Sequence, residues 1–82
     1  MTYTSEHWER LALEKLIRVM GEDPGRLLYA RALSDLRLTT LASAEELYQL
    51  GQWLTRQPGF AAAVGGLLSV QAVIQGARRE PD

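Results

Sequence analysis

Apolar residues recur along this chain with helical rather than strand spacing. Over residues 5–20, Ala12, Leu13, Leu16, Ile17, Val19 and Met20 fall on one arc of a helical wheel. Arg10, Glu14 and Arg18 lie opposite at i,i+4 spacing, the pattern of a solvated, mutually paired face. Thr4 or Ser5 supplies an N-cap and Gly21 a stop. The break Gly21-Glu22-Asp23-Pro24-Gly25 then restarts a helix, because aspartate accepts the free N–H groups of a first turn and proline is favoured at its first position. This second helix, over 24–38, carries Leu28, Tyr29, Ala32, Leu33 and Leu36 on its apolar arc. Thr39-Thr40-Leu41-Ala42 reads as a connection. Ser43-Ala44-Glu45-Glu46 fits a capping box, in which serine and the glutamate three residues later satisfy each other's backbone N–H groups. The third helix, over 44–57, aligns Leu47, Leu50, Gly51 and Leu54, with Trp53 beside them; Gln57-Pro58-Gly59 ends it and a fourth spans 60–77. No stretch sustains period-two alternation, so no sheet is expected.

The predicted fold is therefore all-α: a four-helix antiparallel bundle made of two αα-hairpins, since short connections force neighbouring helices to run antiparallel. At 82 residues the chain allows one domain and no second core. Residues 1–4 and 78–82 are expected to be flexible tails. A domain this short buries only about 60% of its unfolded surface. It has no cysteine, so disulfides cannot compensate and oligomerisation becomes the natural support.

Charge changes the picture more than overall composition does. Nine basic and ten acidic side chains give a net charge of −1, yet from Leu47 to Ala77 the only charged residue is Arg56. The fourth helix thus has no charged face. Phe60, Val64, Leu67, Leu68, Val70 and Ile74 form a bulky side, and Gly65, Ser69, Ala72 and Gly76 form a stripe of small residues almost opposite. Small residues at that spacing admit close approach of another helix. Glycine within a helix costs about 1 kcal/mol relative to alanine, so Gly65, Gly66 and Gly76 need a packing reason. Either the bundle surrounds this helix, or one face meets another molecule, most simply a second copy.

Little in the chain points to chemistry. The single histidine, His7, falls in the first turn of the first helix on its polar side, and neither Glu6 nor Glu9 stands at the three- or four-residue spacing that metal ligands on one helical face require. No cysteine nucleophile exists, and Ser5, Ser34, Ser43 and Ser69 read as caps, polar-face residues and a packing residue. Glu45 and Glu46 favour a helix N-terminus and do not form an acid–base pair. Neither Gly59 nor Gly65-Gly66 belongs to a phosphate-binding loop. Hence no catalytic residue, cofactor or metal is expected. Interleaved Arg, Lys, Glu and Asp offer no basic patch for nucleic acid, and the start MTYTSEHWER is not a secretory signal, which makes cytoplasm the default. Gly59 to Ala77 approaches the minimum length of a membrane span, but Ser69, Gln71, Gln75 and four glycines argue against one.

The last two helices resemble a tetratricopeptide repeat hairpin. Leu47, Leu50, Gly51 and Leu54 take its first-helix positions, Ala63, Leu67 and Val70 its second, and Phe60 stands where an aromatic is common. The resemblance covers residues 44–77 and implies a helical-hairpin interaction protein. Residues 5–38 do not repeat it: Pro24 falls where alanine belongs, and the offset from Trp8 to Leu47 exceeds the period of about 34 residues.

The sequence thus predicts a small non-catalytic interaction module, an adaptor, subunit or chaperone-like partner, working as a homodimer through its uncharged C-terminal helices. Tyr48, Leu50, Trp53, Leu54, Leu67, Leu68 and Ile74 are the expected interface, with Gly65, Ser69, Ala72 and Gly76 providing close helix packing. The competing readings are a small transcriptional regulator or antitoxin-like protein, and a helical protein anchored by a membrane tail. The first suffers because the helix after the third turn has no Arg, Lys or Asn to read bases.

Overall fold

A computed structural model describes residues 5–76. Among these residues it contains four helices and no strand: α1 (Ser5–Met20), α2 (Glu22–Leu36), α3 (Ala44–Thr55) and α4 (Phe60–Ile74). The fold is the expected antiparallel bundle of two hairpins. The expected tails, 1–4 and 78–82, lie outside the described residues, as does Ala77.

Helix α1 and the starts of α3 and α4 fall where expected, whereas both ends of α2 and the ends of α3 and α4 differ by two or three residues. One residue, Gly21, separates α1 from α2. Its N–H donates to the Ile17 carbonyl at 2.8 Å, closing α1, while its own carbonyl accepts from Gly25 N–H at 3.0 Å, opening α2. Gly21 serves both helices at φ 93°, a conformation suited to glycine. Asp23 is consequently not the cap. Pro24 instead sits inside the first turn, where an N–H would have no intrahelical partner. At the other end α2 stops at Leu36 because Arg37 turns left-handed, φ 59°. Arg37 N–H then donates to Ser34 O at 3.1 Å and Leu38 N–H to Leu33 O at 2.9 Å, a Schellman closure built on a non-glycine residue.

At α3 the Ser43 hydroxyl accepts from Glu46 N–H at 3.2 Å, as expected of a cap. Glu46 reaches one residue further back than the usual box, its carboxylate accepting from Ala42 N–H at 2.7 Å. Arg56 and Gln57 donate to Trp53 O and Leu54 O, tightening the chain into a turn that ends α3 before Pro58. On α1 the exposed ion pair forms between Arg10 and Glu6 (3.5 Å), not between Arg10 and Glu14.

Two hairpins share one core. Trp8, Ala12 and Leu16 of α1 meet Tyr29, Ala32 and Leu33 of α2, Leu47, Leu50 and Leu54 of α3, and Ala61, Val64, Leu68 and Ala72 of α4. Leu41 from the α2–α3 connection is fully buried among them. The α3–α4 hairpin is the most extensive pair, α1–α2 follows, and α1 lies across to α4, whereas α2 does not touch α4. Among the described residues no helix is long and apolar enough to cross a membrane.

Candidate functional site

Three residues set how α3 and α4 lie together. Gly51 and Gly65 face each other with no side chain between them, and Ser69 sits one turn along α4. A Cβ placed on Gly51 would fall 2.5 Å from Ser69 Oγ and 2.9 Å from the Gly65 carbonyl; one on Gly65 would fall 2.5 Å from the Gly51 carbonyl and 2.6 Å from Thr55 N. The small-residue stripe therefore meets a helix of its own chain. Ser69 Oγ donates back to the Gly65 carbonyl at 2.8 Å and accepts from Gln52 Nε2 at 2.9 Å, so this buried hydroxyl is satisfied on both sides. Ala72 continues the buried stripe. Gly76 does not: it lies beyond α4 at φ 114°, exposed, with open space where a Cβ would stand.

Because α3 occupies the small side of α4, and the core takes Val64 and Leu68, the rest of the helix surface points outward. Phe60 is 75% exposed, Leu67 57%, Val70 60% and Ile74 72%. Ala63 is exposed in the same row. These are five successive positions of one stripe with alternating steps of three and four residues. Beside it, a groove of about 360 Å³ runs between α3 and α4, walled by Tyr48 and Gln52 on one side and Val70, Val73 and Ile74 on the other, with Ser69 at its base.

The expected interface residues are divided by the structure. Leu67 and Ile74 lie on the outward stripe, and Tyr48, half-buried, lines the groove next to it. Leu50, Leu54 and Leu68 are fully buried within the chain's own core and present no surface to a partner. Trp53 is half-buried and points away from the stripe, its indole N–H donating to Asp35 on α2 at 3.1 Å. It lines a separate groove of about 450 Å³ together with Leu36, Glu45, Tyr48, Gln49, Gln52 and Arg56. Phe60 and Val70 were placed on the bulky side by sequence but not singled out as contacts. The three-four alternation through Phe60, Ala63, Leu67, Val70 and Ile74 is the signal that finds them.

Polar side chains tie adjoining helices at the periphery. Tyr29 OH donates to Glu9 at 3.3 Å, joining α2 to α1. Burial pushes the Tyr29 phenol well above the ordinary tyrosine range, and the nearby Glu9 carboxylate pushes it the same way. His7 Nε2 lies 3.0 Å from Gln75 Oε1, joining α1 to the end of α4, and its ring stands edge-on to Trp8 at 4.8 Å. His7 is thus half-buried and engaged, not a solvated surface residue. Among the described residues no group of three or more His, Asp or Glu side chains is placed to hold a metal ion.

Compared with protein-family models, curated proteins and solved structures, the chain matches none.

Proposed function

We propose that this chain is a non-catalytic helical interaction module that acts as a homodimer through the outward face of α4. One observation carries the reading: Phe60, Leu67, Val70 and Ile74 stand mostly in water on a single stripe of a helix whose other faces are already packed. Scattered exposed apolar residues need no explanation, but four large ones in a row mark a contact surface. The tetratricopeptide-like pattern of residues 44–77 implies the same class, a helical-hairpin interaction protein. A small domain with a limited core gains stability by such association.

Sedimentation equilibrium over a range extending to high micromolar chain concentration tests the proposal. The expected result is a concentration-dependent rise from monomer to dimer mass, abolished in Leu67→Glu, whose side chain is exposed in the monomer and whose substitution leaves the core intact. A well-folded parent chain that remains monomeric throughout overturns it.

A further inference from the structure

Resting on the homodimer reading, we infer that two copies join by laying α4 against α4 antiparallel, with Ala63 opposite Ile74 and Leu67 opposite Val70 of the other copy. The spacing supplies the first argument. Phe60, Ala63, Leu67, Val70 and Ile74 follow the 3-4-3-4 order of a and d positions in a heptad, and all five are exposed. That repeat keeps one seam facing a second helix along its whole length at a crossing near 20°. A helix packed only within its own chain has no use for an exposed seam of this kind.

Charge and exposure make the occupant a second copy. The seam and the partly exposed positions flanking it (Gly66, Gln71, Val73) carry no charge, so two identical faces meet without repulsion and there is nothing to select a charged partner. The four large side chains, each 57–75% exposed, form the apolar centre of this face. Ala63, Val73 and the walls of the adjoining groove continue the same surface.

Side-chain size then fixes direction. In a parallel pair like faces like: Ala63 meets Ala63 between layers of paired Phe60 and paired Leu67, leaving a hole that close packing disfavours. In the antiparallel register every described layer couples unequal residues, Ala63 with Ile74 and Leu67 with Val70, and the two-fold axis repeats both. Phe60 lies one layer beyond the Ala63–Ile74 pair, past the end of the second copy's α4. Sliding the pair by one heptad would match Phe60 with Val70 and Ala63 with Leu67 but carry Ile74 past the start of the second copy's α4, opposite the charged Arg56.

The cysteine-free sequence allows a direct test by disulfide trapping in the full chain. Ala63→Cys and Ile74→Cys alter exposed positions, so both variants keep the parent fold. In the antiparallel dimer the two Ala63 residues stand roughly 16 Å apart along the axis, from the helical rise, and cannot be bridged; a disulfide needs Cα atoms within about 7 Å. Under mild oxidation an equimolar mixture of Ala63→Cys and Ile74→Cys should form crosslinked dimer at least tenfold faster than either variant alone. Rapid crosslinking of Ala63→Cys with itself overturns the antiparallel arrangement while leaving the homodimer standing. No crosslinking in any mixture, with a parent that sediments as a dimer, overturns the inferred antiparallel register. A parent that sediments as a monomer removes the homodimer reading and this inference together.

Discussion

Two neighbouring glycines in α4 make a matched experiment. Alanine at Gly65 would place its Cβ 2.5 Å from the Gly51 carbonyl, 2.6 Å from Thr55 N and 2.8 Å from Leu54 Cβ. Two of those atoms are backbone inside α3, so no rotamer change relieves the clash. The helices must move apart by roughly 1 Å, and a gap of that size forfeits a quarter to a half of the dispersion energy of the atoms lining it. Overpacking a well-packed site costs about 1–3 kcal/mol and at times more. Here backbone meets backbone, so a gross cost of about 2–4 kcal/mol applies, offset by the ~1 kcal/mol that alanine gains over glycine within a helix. The net expectation for Gly65→Ala is a loss of about 1–3 kcal/mol, or roughly 5–20 °C in melting temperature for a domain this size. Gly66, one residue on, has open space where its Cβ would stand. Gly66→Ala keeps the propensity gain alone, about 0.5–1 kcal/mol, and should raise the melting temperature by roughly 2–8 °C. Thermal unfolding followed by far-ultraviolet circular dichroism, with all chains at one concentration, reads both shifts. A Gly65→Ala variant as stable as its parent would refute the close crossing, and with it the assignment of the small-residue stripe to α3.

Other consequences concern single residues. Arg37 closes α2 in the left-handed region, where a side chain is strained, so Arg37→Gly should stabilise the chain by about 0.5–1 kcal/mol, visible as a higher denaturant midpoint with an unchanged slope; a lower midpoint would mean that the arginine side chain makes a compensating contact. Tyr29 has a folded-state pKa raised above the ordinary value of about 10, so its contribution to stability is whole below that pH and is lost as pH climbs toward the folded value. The phenolate absorbance present in the parent and missing from Tyr29→Phe should therefore appear above the ordinary tyrosine range while the chain is folded, and its appearance near pH 10 in the folded chain would contradict the burial of this ring.

The order of the helices was legible because apolar spacing and breakers agree at every element. Leu47, Leu50, Gly51 and Leu54 share a face in the sequence and are buried together in the fold. The boundaries were less legible, since they depend on backbone events that composition only suggests. Gly21 ends one helix and begins the next, a double use invisible to a search for a conventional N-cap. Leu41 looked like a loop residue because its neighbours are Thr39, Thr40 and Ala42, yet it is fully buried. A connection spanning two hairpins crosses the open end of the core, and one leucine on it can plug that end. The candidate surface was half legible. Phe60, Leu67, Val70 and Ile74 were gathered on one side, but Val64 and Leu68 were gathered with them. A wheel cannot divide a broad apolar arc into the part its own chain covers and the part it leaves in water.

That division is made by the glycine crossing, and it links the interior of α4 to its exterior. Gly51 and Gly65 bring α3 close to the side of α4 on which Ser69 and Ala72 are buried. With α1 and the core closing over Val64 and Leu68, α2 has no route to the remaining face and does not contact this helix. Three helices of at most 16 residues therefore leave α4 open along one stripe, and that stripe is uncharged throughout. Had the open side needed only water, one lysine or glutamate at Ala63, Leu67 or Val70 would have served with no loss to the core, because none of these residues is buried. The stripe carries alanine, leucine and valine instead, and it is this surface that the proposed homodimer would bury.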